Sequence, residues 1–163
     1  MIRVAIITAS DSGYVGKRED QSGEVIREII EAKGYEVVKK IILPDDIDQL
    51  SQAMREIADR EEAELIVTTG GTGFSQRDCT PEATMKIVER NVPGIPEAMR
   101  AYSLQLTKRA MLSRAAAGIR KRTLIVNLPG SPKAVRECLE YIISELDHGI
   151  KTLIGESSEC ARK

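Results

Sequence analysis

Thr68-Thr69-Gly70-Gly71-Thr72-Gly73 places three glycines in four positions directly after an apolar run, and Arg77-Asp78-Cys79-Thr80-Pro81 follows at once. Glycines in such a place let backbone approach a ligand with no Cβ in the way, and successive N–H groups can form an anion nest. Thr80-Pro81 reads as a helix start, a hydroxyl N-cap followed by proline in the first turn, and a helix start adds free N–H groups and a positive dipole end. The spacing matches neither the phosphate-binding G-x-x-x-x-G-K-[ST] pattern nor the dinucleotide G-x-G-x-x-G pattern. A second stretch, Asn127-Leu128-Pro129-Gly130-Ser131-Pro132-Lys133, repeats the layout of strand, glycine turn, hydroxyl cap and helix, with the Lys133 cation near the helix start. Two anion-ready loops at one sheet edge imply a ligand with two charged parts, or two phosphate-bearing ligands.

Carboxylates supply the next part. Asp45 comes just after Pro44 at the end of one apolar stretch, and Asp78 just after the glycines at the end of another. If the two strands are neighbours and parallel, both carboxylates reach one rim. There they could hold Mg²⁺, which takes oxygen ligands together with substrate phosphates and stabilises charge in phosphoryl or nucleotidyl transfer. Asp46 and Asp48 compete with Asp45 for that place, and turn or helix-cap aspartates are the plain structural alternative. Arg77, Arg109, Arg114 and Lys133 are candidate partners for anionic groups. Cys79 has no histidine near it in sequence and reads as a packing thiol. Phe74 and Tyr102 suit either a flat ligand pocket or the core.

These residues need a frame to hold them. Val4 to Thr8, Leu65 to Thr69 and Thr123 to Asn127 are short, nearly continuous apolar runs, the pattern of parallel strands covered on both faces. Tyr35 to Leu43 reads as a fourth strand, ended by Pro44. Helical spacing of apolar residues marks 21–33, a segment after Asp48 (expected N-cap, with Ile47 outside it), 80–91, 97–107, and a last helix opened by Ser131-Pro132. That last helix carries Val135, Leu139, Ile142, Ile143 and Leu146 on one face. The polar stretch 10–20 reads as a long ligand loop, and Ala115-Ala116-Ala117-Gly118 as small, tightly packing residues. Strands alternating with helices predict a three-layer α/β/α domain with a mostly parallel central sheet, spanning 1–155 and followed by a polar tail at 156–163.

Composition narrows the partners. With 24 Lys+Arg against 25 Asp+Glu in 163 residues the net charge is −1, which argues against nucleic acid or a membrane surface as the main partner. One histidine, His148, excludes a zinc site built on several histidines. Three cysteines, at 79, 138 and 160, fit neither a disulfide framework nor C-x-x-C, so reduced thiols and a cytoplasmic location are expected. No signal peptide is visible, and no apolar stretch reaches the roughly 18 residues needed to span a bilayer.

Taken together, residues 68–84 (TTGGTGFSQRDCTPEAT), 111–120 (MLSRAAAGIR) and 127–135 (NLPGSPKAV), with 9–13 (ASDSG) and 43–46 (LPDD), closely resemble the MogA/MoaB family of molybdenum-cofactor biosynthesis proteins. The resemblance runs from residue 3 to about residue 154. It implies a molybdopterin-binding α/β domain that, in the MogA type, uses ATP and Mg²⁺ to adenylylate the terminal phosphate of molybdopterin and release pyrophosphate. By resemblance Gly70, Gly71, Thr72 and Gly73, with Thr69 and Asp78, form the molybdopterin side of the pocket. Asp45 and Asp78 look like the family's two essential aspartates. Ser10, Asp11 and the stretch Asn127, Pro129, Gly130, Ser131 and Lys133 resemble the nucleotide or phosphate rim, with Ser103, Ser113 and Arg114 as further binding positions. The resemblance also implies a homo-oligomer, trimer or hexamer, and a hand-off to a separate molybdenum-insertion protein. A non-catalytic molybdopterin-binding protein of the MoaB type and a Mg²⁺-dependent pyrophosphate-bond hydrolase are the alternatives.

Overall fold

A computed structural model describes residues 1–156. The chain runs β1 (Arg3–Ala9), α1 (Asp11–Tyr14), α2 (Gln21–Ala32), β2 (Glu36–Leu43), α3 (Ile47–Asp59), β3 (Leu65–Thr69), α4 (Thr80–Ile87), β4 (Arg90–Asn91), α5 (Gly94–Leu104), a 3₁₀ turn (Lys108–Leu112), β5 (Ala117–Arg120), β6 (Thr123–Leu128) and α6 (Pro132–Leu153). The six strands lie in the order β2-β1-β3-β6-β5-β4. The first four are parallel, and β5 and β4 add antiparallel at one edge. The sheet is therefore mostly parallel, as the apolar runs predict, and all four parallel strands deliver their following loops to one rim.

Burial explains why those runs are continuous. Val4, Ile6, Val67 and Val126 face a core made with α2, α5 and α6, including Ile26, Ile30, Leu139 and Leu146. Ala5, Ile7, Ile66 and Ile125 face the other side, against Leu50, Met54 and Ile57 of α3 and Ala83 and Ile87 of α4. Every residue of β3 and β6 is buried. Each fully buried Ile, Leu or Val contributes roughly 1.5–3 kcal/mol of transfer free energy. The edge strand β2 alternates instead, with Glu36 and Val38 turned outward.

Several local expectations change. Two strands, β4 and β5, escape the apolar-run criterion: β4 is two exposed residues, and β5 begins in the small residues at Ala117. Gly118 is required there, because a Cβ would lie 2.6 Å from a Val88 methyl. The segment 80–91 is helical only to Ile87, before the chain turns into β4. The stretch 10–20 contains α1, whose N-cap Ser10 accepts from Gly13 N–H. The N-cap of α3 is Asp46, not Asp48: its side chain accepts from Gln49 N–H at 2.8 Å. Thr80 is the first residue of α4 rather than its cap; Cys79 holds the cap position without a side-chain bond. Ser131 does cap α6, accepting from Ala134 N–H, and the predicted apolar face of α6 is buried. The polar tail expected at 156–163, with Cys160, lies outside the described residues except for Glu156. No helix among those described is long and apolar enough to cross a membrane.

Candidate active site

The strands β1, β3 and β6 end side by side, and their loops are tied together. The Thr69 hydroxyl donates to the Pro129 carbonyl at 2.6 Å, and the Ser22 hydroxyl to the Gly130 carbonyl at 2.6 Å. Gly70 (φ +87°) has no room for a side chain, since a Cβ would stand 2.4 Å from the Ala9 carbonyl oxygen. Gly71 (φ +69°) would press a Cβ to 2.3 Å from Thr80 Oγ1 and 3.1 Å from Asp45 Oδ1. A Cβ on Gly130 would meet Gly70 Cα at 3.5 Å. The two glycine turns therefore touch, as two anion-ready loops at one edge require.

Two cavities adjoin these loops. One, of about 350 Å³, is polar and has Ser10, Asp20, Thr69, Gly70, Gly130 and Ser131 among its walls. The other, of about 330 Å³, is mainly apolar and includes Thr72, Gly73, Met99, Ser103, Ser113 and Pro129. Ser131 lines both.

Acidic residues follow the outer side of the rim. Asp45 and Asp11 bond each other's backbone: Asp11 N–H donates to Asp45 Oδ2 at 3.1 Å, and Asp45 N–H to Asp11 Oδ1 at 3.0 Å. Arg77 donates from Nε to Asp11 Oδ2 at 2.8 Å and from a terminal nitrogen to Asp11 Oδ1 at 2.9 Å. This pairing, first of all, holds the Asp11 carboxyl below its ordinary range, aided by Asp45 N–H. Asp45 is displaced the other way. Burial raises its pKa; Asp11 N–H opposes the rise, and the charges of Asp11 and Asp78 add to it. Asp78 turns into its own loop, accepting at Oδ2 from Gly73 N–H at 3.0 Å and Ser75 N–H at 3.2 Å.

Asp45 Oδ1 and Thr80 Oγ1 are buried and lack hydrogen-bond partners. An unsatisfied buried carboxylate oxygen beside a second acidic residue suits a hard cation. Asp45 and Asp78 could therefore hold a hard cation such as Mg²⁺ between them. Among the described residues no group of three or more His, Cys, Asp and Glu is arranged to hold a metal alone.

Residues 5–148 match the family described as "Probable molybdopterin binding domain". The chain belongs to that family. A molybdopterin adenylyltransferase of Helicobacter pylori (strain J99) is 37% identical to it, covering 99% of this chain and 93% of the relative. The molybdopterin biosynthesis enzyme MoaB of Thermus thermophilus superposes with a TM-score of 0.91 at 45% identity, covering 98% of this chain and all of the other. The tungsten cofactor synthesizing protein MoaB of Pyrococcus furiosus gives a TM-score of 0.85 at 37% identity, covering 94% and 97% of the two chains. The chain is thus one of the MogA/MoaB enzymes of molybdenum-cofactor biosynthesis.

Within this MogA/MoaB domain the residues singled out from sequence take different places. Ser10, Thr69, Gly70, Gly130 and Ser131 line the polar cavity, and Thr72, Gly73, Ser103, Ser113, Pro129 and Ser131 the apolar one. Gly71 lies against Asp45 and Thr80. Ser103 shares a hydrogen bond with Cys138 Sγ at 3.4 Å. Asn127 is fully buried: its amide nitrogen donates to the Thr68 and Thr84 hydroxyls, and its oxygen accepts from Ala116 N–H. It braces strand ends and has no surface for a ligand. Arg114 turns its guanidinium onto loop carbonyls, and Lys133 is exposed in the first turn of α6. Strands β2 and β3 are not neighbours, since β1 lies between them, so Asp45 and Asp78 share the rim across one intervening strand. Neither carboxylate lines either cavity; both stand beside the walls. Burial raises the Cys79 thiol pKa, with the charges of Asp45, Glu82 and Asp46 adding, in keeping with a packing thiol.

Sequence reading missed Asp20. It caps α2, accepts from the Thr8 hydroxyl at 2.9 Å, pairs with Lys40 and lines the polar cavity. Its position just before a helical repeat was a capping signal, but its contact with Thr8 depends on the fold.

Proposed function

We propose that this protein transfers AMP from ATP to the terminal phosphate of molybdopterin, yielding adenylylated molybdopterin and pyrophosphate, with Mg²⁺ as cofactor. One observation carries the reading: two cavities of similar size share Ser131 as a wall next to the touching glycine turns, near a carboxylate whose buried oxygen lacks a partner. Two substrates joined at a phosphate need two pockets with a common border. The apolar cavity against Thr72 and Gly73 suits a fused pterin ring, and the polar cavity against Ser10 and Gly130 suits the nucleotide. The adenylyltransferase name of the Helicobacter pylori relative supports the same assignment.

In this reading a terminal phosphate oxygen of molybdopterin attacks the α-phosphorus of ATP. The bond from that phosphorus to the bridging oxygen breaks, and pyrophosphate leaves. The glycine turns bring backbone to the phosphates without side-chain obstruction. Lys133 and the first turn of α6 face anionic groups, and Arg77 lies at the rim, its side chain 63% exposed. Asp45 and Asp78 would hold Mg²⁺, which when bound would neutralise phosphate charge and stabilise the developing negative charge. No covalent enzyme intermediate is needed; positioning and electrostatics account for the rate. We also propose a homo-oligomer, trimer or hexamer, because Leu104, Leu106, Met111 and Leu112 are exposed along one segment, and a hand-off of product to a separate molybdenum-insertion protein.

Asp45→Asn and Asp78→Asn test this reading against a molybdopterin carrier. Each is expected to lower adenylylated product per enzyme at least 100-fold while molybdopterin binding changes less than threefold. Unchanged product formation in both would contradict it.

A further inference from the structure

Arg114 makes four hydrogen bonds, all to the segment from Thr72 to Glu82. Its backbone N–H donates to the Thr72 carbonyl at 2.9 Å, Nε to the Gly73 carbonyl at 2.8 Å, and one terminal nitrogen to the Asp78 carbonyl at 3.1 Å. The other terminal nitrogen pairs with Glu82 in the first turn of α4. Arg114 lines neither cavity. On the other side of the same loop, the Asp78 carboxylate accepts from Gly73 N–H and Ser75 N–H. The two side chains grip one loop through opposite sets of groups: Arg114 takes carbonyls and Asp78 takes N–H groups. A peptide unit whose carbonyl is fixed has its N–H direction fixed as well. The Thr72 carbonyl shares its peptide unit with Gly73 N–H, so the Arg114 backbone bond aims that donor, while the guanidinium bonds to the Gly73 and Asp78 carbonyls hold the loop at the two residues that the Asp78 carboxylate ties together.

We infer that Arg114 is a positioning residue that fixes the Asp78 carboxylate for cation binding, rather than a residue that contacts substrate phosphate. The inference rests on the adenylyltransferase reading for its consequence in turnover, but not for its geometric content. Only a planar fork with several donors reaches both carbonyls and Glu82 together; a lysine ammonium is a point donor on a flexible stem and does not.

The experiment compares wild type, Arg114→Ala and Arg114→Lys by three readings: amide exchange at Gly73 and Ser75, Mn²⁺ affinity in the presence of a non-hydrolysable ATP analogue, and steady-state transfer with and without added guanidinium ion. In Arg114→Ala the two amides are expected to exchange at least tenfold faster and Mn²⁺ to bind about tenfold more weakly. Turnover is expected to fall about 100-fold, with KM for ATP and molybdopterin changed less than threefold. Guanidinium should restore turnover at least fivefold in Arg114→Ala and leave wild type unaffected, because the side chain is 34% exposed and the site it vacates is open to solvent. Should the alanine form not fold, Arg114→Lys carries the test with the same expected directions. A loss confined to KM, with amide exchange and Mn²⁺ affinity intact, overturns the inference and makes Arg114 a substrate contact. Unaltered amide exchange at Gly73 and Ser75 overturns it as well. If wild type shows no transfer, the adenylyltransferase reading falls, while the exchange measurement still decides the role of Arg114.

Discussion

Asp11 and Asp45 clasp one another reciprocally, each carboxylate accepting from the other's backbone N–H at 3.0–3.1 Å. Two acidic side chains are thereby held together, and Arg77 hydrogen-bonds only one of them, Asp11, reaching Asp45 through its charge alone. Asp45 keeps a buried oxygen with no partner. Such an arrangement is unfavourable for the isolated fold and useful for binding a cation, the common relation between stability and function at a site.

Asp45→Asn should therefore stabilise the metal-free protein. Because the folded pKa of Asp45 is raised above its unfolded value, its contribution to stability is fully present below the unfolded pKa and is lost as pH rises through the folded pKa. At pH 7 the asparagine form should melt a few degrees higher than wild type without Mg²⁺, and the gap should narrow as pH falls through the raised folded pKa and be gone below about 4. Added Mg²⁺ should raise the melting temperature of wild type at pH 7 and lose that effect in acid, where Asp45 is protonated. Melting curves across pH with and without Mg²⁺ check both signs; a lower melting temperature for Asp45→Asn at pH 7 contradicts the assignment.

Gly70→Ala places a methyl against a backbone oxygen that cannot swing aside, at a φ of +87°. It should cost at least about 2 kcal/mol. Gly16→Ala has a similar φ of +77° but open space around it, and should cost only about 1 kcal/mol. Urea denaturation of the two variants measures the difference, which isolates the close approach of β1 and β3 from the backbone conformation itself.

Asn127→Leu removes three hydrogen bonds in a fully buried place and leaves Ala116 N–H without its acceptor. About 3 kcal/mol of stability should be lost, read by chemical denaturation. Affinity for molybdopterin and ATP, measured where the variant remains folded, should stay within threefold of wild type, because Asn127 presents nothing to either cavity.

Much of this was legible in the sequence where one residue type does one job. Continuous apolar runs located the parallel strands because strands covered on both faces have no polar side. The glycines at 70 and 71 announced a tight approach because only they tolerate it. Strands β4 and β5 were hidden for the opposite reason: Arg90–Asn91 is two exposed residues, and Ala117–Arg120 carries its pairing on backbone rather than on a hydrophobic signature. Position in the sequence also could not separate a ligand contact from a brace. Asn127, Arg114 and Lys133 share motif neighbourhoods, yet one is buried between strand ends, one grips loop carbonyls and one is exposed at a helix start. Their roles follow from which polar groups the fold brings within 3 Å, and those groups come from residues as distant in sequence as Thr68 is from Asn127.

Mass spectrometry and phosphorus NMR of the products after incubation with molybdopterin, ATP and Mg²⁺ test the central claim most directly. Adenylylated molybdopterin and pyrophosphate should form in equal amounts, and neither should form when molybdopterin is withheld. ATP breakdown at the same rate without molybdopterin, or bound molybdopterin recovered unmodified beside intact ATP, would contradict it.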